Sequence, residues 1–211
     1  MATDADDWRP RARYVGIGVV LAAQLLTACN GVVSSKPWFS QAGDAPQLRE
    51  GVWRLTSDKP CNVDERRPLT TWPDCALGLV VRASEIQGYQ RDDKGRVKPF
   101  TLPYVLAAGD PAILQLDDTT ANPLKFEYAW LTRVRRDNKG QVVEVRGSTV
   151  GCGPSSGSPG GQPALYPGVT AQSGGCVADS VDSLRAAAKS STRDGPPQDV
   201  FNARWLRAGD R

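Results

Sequence analysis

The chain contains no histidine among its 211 residues. That absence excludes every mechanism that needs an imidazole: a Ser–His–Asp triad, a Cys–His pair, and His-ligated zinc or haem. No C-x-x-C spacing occurs, so the five cysteines do not form a metal-binding set. No Gly-Lys-Ser/Thr follows any of the glycine-rich stretches, which excludes a phosphate-binding loop of that type. No spaced Asp/Glu pair marks a carboxylate-based glycosidase, the sort of hydrolase that works without histidine. No catalytic residue, metal site or cofactor is expected, and the chain reads as a non-enzyme. Charge of one sign is also lacking: the net value is +3, too small to point to nucleic acid. Nor is there an apolar run of the roughly 20 residues that a bilayer-spanning helix needs.

What is present begins with a leader. Arg9, Arg11 and Arg13 precede a twelve-residue apolar run, Val15 to Leu26, broken only by Gln24. This has the form of an export signal with its hydrophobic region. Leu26-Thr27-Ala28-Cys29 closes the run. Small side chains there let a peptidase approach the backbone, and the thiol is an acceptor for lipid. The stretch resembles the lipobox of bacterial lipoproteins. The resemblance covers about 30 residues. It implies cleavage before Cys29, diacylglycerol on its sulfur and a fatty acyl group such as palmitate on its new amino group. Asn30, rather than Asp, at the next position points to the outer membrane. The acidic Asp4, Asp6 and Asp7 depart from the usual leader, but the arginines still lie nearest the apolar run. Two or more acyl chains give stable anchoring, at about 0.8 kcal/mol per buried CH₂. The leader takes three arginines and three aspartates with it, so the mature chain keeps its +3.

If Cys29 carries lipid, Cys61, Cys75, Cys152 and Cys176 remain, an even number in an oxidising compartment. Four cysteines allow three connectivities, of which Cys61–Cys75 and Cys152–Cys176 are the simplest. The organisation expected is residues 1–28 as signal peptide, 29–47 as a lipidated flexible tether, and 48–211 as a single β-rich domain. Within the tether Trp38 and Phe39 either dock on the domain or contact a membrane or partner.

The domain reads as mainly β: six to eight antiparallel strands in a meander, curled sheet or small barrel, with one C-terminal helix. Gly51 to Leu55 forms a first strand. Its Gly-x-Trp pattern resembles the opening strand of lipocalins, where the tryptophan closes the barrel base, a role that would fall to Trp53. Leu77 to Gln90 alternates loosely as a strand. Arg91-Asp92-Asp93-Lys94-Gly95-Arg96-Val97 recurs 45 residues later as Arg136-Asp137-Asn138-Lys139-Gly140-Gln141-Val142. Both suit hairpins, with Asp opening the turn and Gly in the left-handed position. Neither copy has the acidic spacing of an EF-hand loop. Pro99 and Pro103 mark an edge or a bend, and Gly109-Asp110-Pro111 divides two strands. Asp117 and Asp118, as neighbours on a strand, point to opposite faces and make a poor acid/base pair. On the next strand Tyr128, Trp130, Thr132 and Val134 should share one face, opposite Ala129, Leu131, Arg133 and Arg135. Arg133, Arg135, Arg136 and Arg146 either bind an anion or protect sheet edges. Arg66, Arg67 and Trp72 lie in the first cysteine-bounded loop, where a cation–π arrangement would suit an anion or sugar. Residues 151–176 form a Gly/Pro-rich flexible loop, anchored at Leu165 and Tyr166. A helix runs from Asp179, its N-cap, to about Ser190, with Val181, Leu184 and Ala188 as its apolar stripe. Asn202 to Arg207 is the closing strand.

Beyond the lipobox, Lys36-Pro37-Trp38-Phe39 and Leu48-Arg49-Glu50-Gly51-Val52-Trp53 resemble outer-membrane lipoproteins that carry no assigned activity. The function expected is a membrane-anchored module, held by its N-terminal lipid, that binds an envelope protein or a surface. Two alternatives are a lipocalin-like carrier with a cavity lined by Trp53, Tyr128 and Trp130, and a histidine-free hydrolase. The residues expected at a ligand or partner contact are Trp38, Phe39, Trp53, Tyr128 and Trp130.

Overall fold

The computed structural model describes residues 31–41, 45–56, 61–73, 75–92, 94–119, 125–154, 164–172, 175–194 and 200–209. Cys29 and the leader lie outside them. The strands are β1 (Val33–Ser34), β2 (Gly51–Thr56), β3 (Leu77–Arg82), β4 (Glu85–Arg91), β5 (Val97–Ala107), β6 (Ala112–Asp118), β7 (Lys125–Arg136), β8 (Val142–Thr149), β9 (Val169–Gln172) and β10 (Gly175–Ala178). Helix α1 (Val181–Ser191) and strand β11 (Phe201–Arg207) complete the order.

Strands β2 to β8 form an antiparallel meander, β11 inserts between β2 and β8, and pairing of β7 with β8 closes eight strands into a barrel. Closure removes the free edges of a sheet. The arginines on β7 and β8 therefore protect no edge. Arg135 instead pairs with Glu144 at 2.9 Å across the hairpin. Strand β5 meets β6 only from Tyr104 onward. Residues 97–103 thus have a partner on the β4 side alone among the described residues, which accommodates Pro99 and Pro103.

The two Asp-Lys-Gly turns are built alike. Oδ1 of Asp92 accepts from the amides of Lys94 and Arg96 at 3.0 and 2.9 Å. Oδ1 of Asp137 accepts from those of Lys139 and Gln141 at 2.9 and 3.0 Å. Gly95 and Gly140 take φ of 74° and 78°, where a side chain is disfavoured. The run from Leu77 to Gln90 is two strands, not one. It turns at Ala83-Ser84, with Ala83 at φ 43°. No Gly, Asn or Asp announces this turn. Surrounding bonds hold it: the Ala83 amide donates to Glu50 Oε1, and Tyr104 Oη donates to the Ala83 carbonyl.

The apolar residues fall into three clusters. Inside the barrel are Trp53, Tyr104, Leu106, Leu114, Ala129, Leu131, Val142 and Val145, with Leu48 entering from the segment that precedes β2. A second cluster lies outside the wall on β6 and β7, where Ile113, Phe126, Tyr128 and Trp130 are covered by α1, β9 and β10. A third lies outside β2 and β3, where Leu69 and Trp72 cover Val52 and Val80. The alternation expected along β7 holds only to Leu131. A bulge between Leu131 and Arg133 adds a residue, and Val134 consequently packs with Leu131 in the barrel interior.

Two expectations about the C-terminal half need correction. Part of the supposedly flexible stretch 151–176 is the β9–β10 hairpin; residues 155–163 lie outside the described set. Tyr166 is its buried anchor, whereas Leu165 is exposed. Helix α1 is capped by Ser180, not Asp179: the Ser183 amide donates to Ser180 Oγ at 3.1 Å. Leu184, Ala187 and Ala188 are its buried stripe. Both disulfides take the sequence-local pairing, with Cα separations of 5.7 and 5.8 Å.

Candidate functional site

Two assemblies of polar residues set this barrel apart from a plain packed one. The first holds the segment that follows Cys29. Residues 31–39, expected as part of a slack tether, are built into the domain. Val32 is 0% exposed, and its amide donates to the Val150 carbonyl at 2.8 Å. Val33 and Ser34 pair with Glu127 and Phe126 of β7, beyond the point where β8 leaves it. Ser34 Oγ and Tyr128 Oη lie 2.6 Å apart. Gln115, 4% exposed on β6, then acts as a clamp. Its Oε1 accepts from the amides of Trp38 and Phe39, both at 2.9 Å, and its Nε2 donates to the Phe39 carbonyl at 3.1 Å. The primary amide thereby replaces a strand partner for two residues of extended chain. The Phe39 ring meets Tyr128 edge-on at 6.4 Å and lies under the Arg185 guanidinium at 5.2 Å.

The second assembly is an arginine-rich cleft between the Cys61–Cys75 loop and β11. Val63, Asp64, Glu65, Arg66, Arg204, Trp205, Leu206 and Arg207 line a space of about 490 Å³. The loop sits where it does because Leu69 and Trp72 are buried against β2 and β3, and because the Trp72 indole donates to the Arg67 carbonyl at 3.1 Å. The sequence-level idea of a Trp72 cation–π site fails for that reason: the ring is a core residue. Arg54 and Arg204 both donate to Glu65 Oε1, the latter at 2.6 Å. Arg207 donates to the carbonyls of Glu65 and Arg67. Burial pushes the Glu65 carboxyl up, but the hydrogen bonds and charge of Arg54 and Arg204 outweigh it and hold it below the ordinary range. Arg66 stands exposed at the lip. Arg54, Arg204 and Arg207 are engaged by Glu65 and the loop carbonyls, so the exposed guanidinium of Arg66 is the group placed to meet a carboxylate or phosphate.

Trp53 does not meet Tyr128 and Trp130, with which it would line the cavity of a carrier. Trp53, 2% exposed, lies inside the barrel, where its indole donates to the Arg49 carbonyl at 2.8 Å. Tyr128 and Trp130, 1% and 4% exposed, lie on the other face of the wall with Trp38 and Phe39. Strand alternation separates them: β7 turns 128 and 130 outward and 129 and 131 inward. Ser191 is occupied structurally, accepting from the Gly151 amide and donating to the Ala187 carbonyl. Among the described residues no three acidic or cysteine side chains converge on a metal position, and no helix is long and apolar enough to cross a membrane.

Sequence reasoning missed Gln115, Ser34, Glu65, Arg204 and Arg207. Gln115 left a trace as the polar residue that interrupts Ile113-Leu114-x-Leu116. The others left none, because their partners are distant in sequence. No family model, curated protein or solved structure matches this chain.

Proposed function

We propose that this protein is a non-enzymatic outer-membrane lipoprotein, acylated on Cys29, whose barrel binds an envelope partner through the arginine-rich cleft. The observation that carries the reading is the built attachment of residues 31–39, immediately after the lipobox. A fixed attachment sets how a module displayed from its N-terminus is presented, and here a strand, a buried valine and the Gln115 clamp provide it. The clustered side chains of the barrel interior and the separation of Trp53 from Tyr128 and Trp130 favour a surface binder over a carrier.

The test has two parts. Replacing Cys29 by Ser should move the protein from the membrane to the soluble fraction; full retention in the membrane fraction would overturn the anchor. Arg66→Glu, at the exposed lip of the cleft, should abolish crosslinking to a stoichiometric envelope partner while leaving the melting temperature unchanged. Unchanged crosslinking would overturn the assignment of the cleft.

A further inference from the structure

The structure has almost no slack between the acylation position and the folded domain. Only Asn30 separates Cys29 from Gly31. At no more than about 3.6 Å per residue, the Cα atoms of Cys29 and Gly31 lie within about 7 Å of one another. A flexible tether of 18 residues would span some 20–25 Å instead. Gly31 is fixed on every side that the described residues provide. It bridges Gly151, and its carbonyl accepts from the Cys176 amide at 3.1 Å. Val32 bridges Cys176, which is tied to Cys152. Gly151 in turn donates to Ser191 at the C-terminal end of α1.

From this placement we infer that the lipid anchor fixes the orientation of the barrel: the face around the Cys152–Cys176 disulfide and the last turn of α1 rests on the bilayer that holds the acyl chains. The inference rests on the reading of Cys29 as the acylated residue. Lys189 and Arg193 are exposed on this face and suit an anionic headgroup layer. Strand β3 lies opposite β7 in the eight-strand ring, so Arg82, exposed at its end, faces away. The cleft over β2 and β11 stands outside the layer that α1 forms, open to a partner.

The experiment uses the full acylated protein in vesicles of phosphatidylcholine and anionic phosphatidylglycerol that carry a headgroup nitroxide quencher. A bimane fluorophore is attached at Arg193→Cys or Lys189→Cys, and separately at Arg82→Cys. Near-ultraviolet circular dichroism verifies that each variant folds. Quenching at 193 and 189 should exceed that at 82 by threefold or more. Insertion of 20 Gly/Ser residues between Asn30 and Gly31 should erase the difference. Equal quenching at both faces of the acylated, uninserted protein overturns the orientation and leaves the anchor standing. Mass spectrometry that finds no acyl group on Cys29 overturns the anchor, and the orientation with it.

Discussion

Truncating Gln115 to Ala should release the segment of residues 31–39 without unfolding the barrel. The change deletes three hydrogen bonds: those from the amides of Trp38 and Phe39, and the one to the Phe39 carbonyl. A buried polar group left without a partner costs about 1–3 kcal/mol. Trp38 and Phe39 are half-buried, so water recovers part of that cost. The sum is on the order of 2–4 kcal/mol, comparable with what the half-buried Trp38 and Phe39 rings contribute by packing. The residues affected are local, so the loss appears as local opening. Amide hydrogen exchange at 38 and 39 should accelerate roughly 30-fold or more, since about 1.4 kcal/mol corresponds to a factor of ten. Amides in the barrel wall, such as those of Leu114 and Val145, should keep their protection. Unchanged exchange at 38 and 39 in Gln115→Ala would refute the clamp. So would a loss of protection spread evenly over all strands.

Other outcomes follow from particular residues. Ala83 holds φ 43° on an exposed turn, so Ala83→Gly should stabilise by about 0.5 kcal/mol after the entropy of the unfolded glycine is counted; a lower midpoint in urea would contradict this. Removing the Cys61–Cys75 bridge, whose ends are 14 positions apart in sequence, should cost about 3 kcal/mol in the chain-entropy model, read from chemical denaturation. Glu127 is 6% exposed, and burial raises its carboxyl above the ordinary range, against the opposing charge of Lys125 at 3.4 Å. A raised folded-state value means that its ionisation works against the fold as pH climbs through that value. Glu127→Gln should therefore be the more stable protein at pH 7, with the advantage fading below the usual glutamate range; thermal melts across pH 3–8 would show it. Glu65 is displaced the other way, so its support of the 61–73 loop is present at neutral pH and is lost as pH falls through its lowered value. Protection of the Trp72 indole, taken against the intrinsic exchange rate at each pH, should fall on acidification, and Glu65→Gln should open the loop at pH 7.

Most strands, the two Asp-x-Lys-Gly hairpins, the helix and the closing strand were legible because each depends on near neighbours, whereas the sequence left three disulfide connectivities open and the simplest of them is the one observed. Alternation of side chains, a turn residue at a fixed offset, and a short loop between cysteines are local matters. The expectations that failed are those in which distant contacts prevail over local pattern. Ala83 adopts a left-handed turn because Glu50 and Tyr104 hold it. Val134 changes face because a bulge inserts a residue. The stretch 31–39 looks polar and aperiodic, yet it is bound because Gln115 and Tyr128, some 76 and 94 residues away, supply its partners.

By itself the sequence determined that this is a β-rich chain with no imidazole chemistry. It also supplied a stretch that resembles a lipobox and four further cysteines whose simplest pairing is local. Tertiary structure alone decided that the sheet closes. It decided that the aromatic residues divide between the inside and the outside of its wall, and that Arg54, Arg204 and Arg207 converge on one loop. The reason is geometric. A strand's period assigns its two faces, but which face becomes the interior depends on how far the sheet curls. That curl is set by the register of eight strands together, not by any one of them.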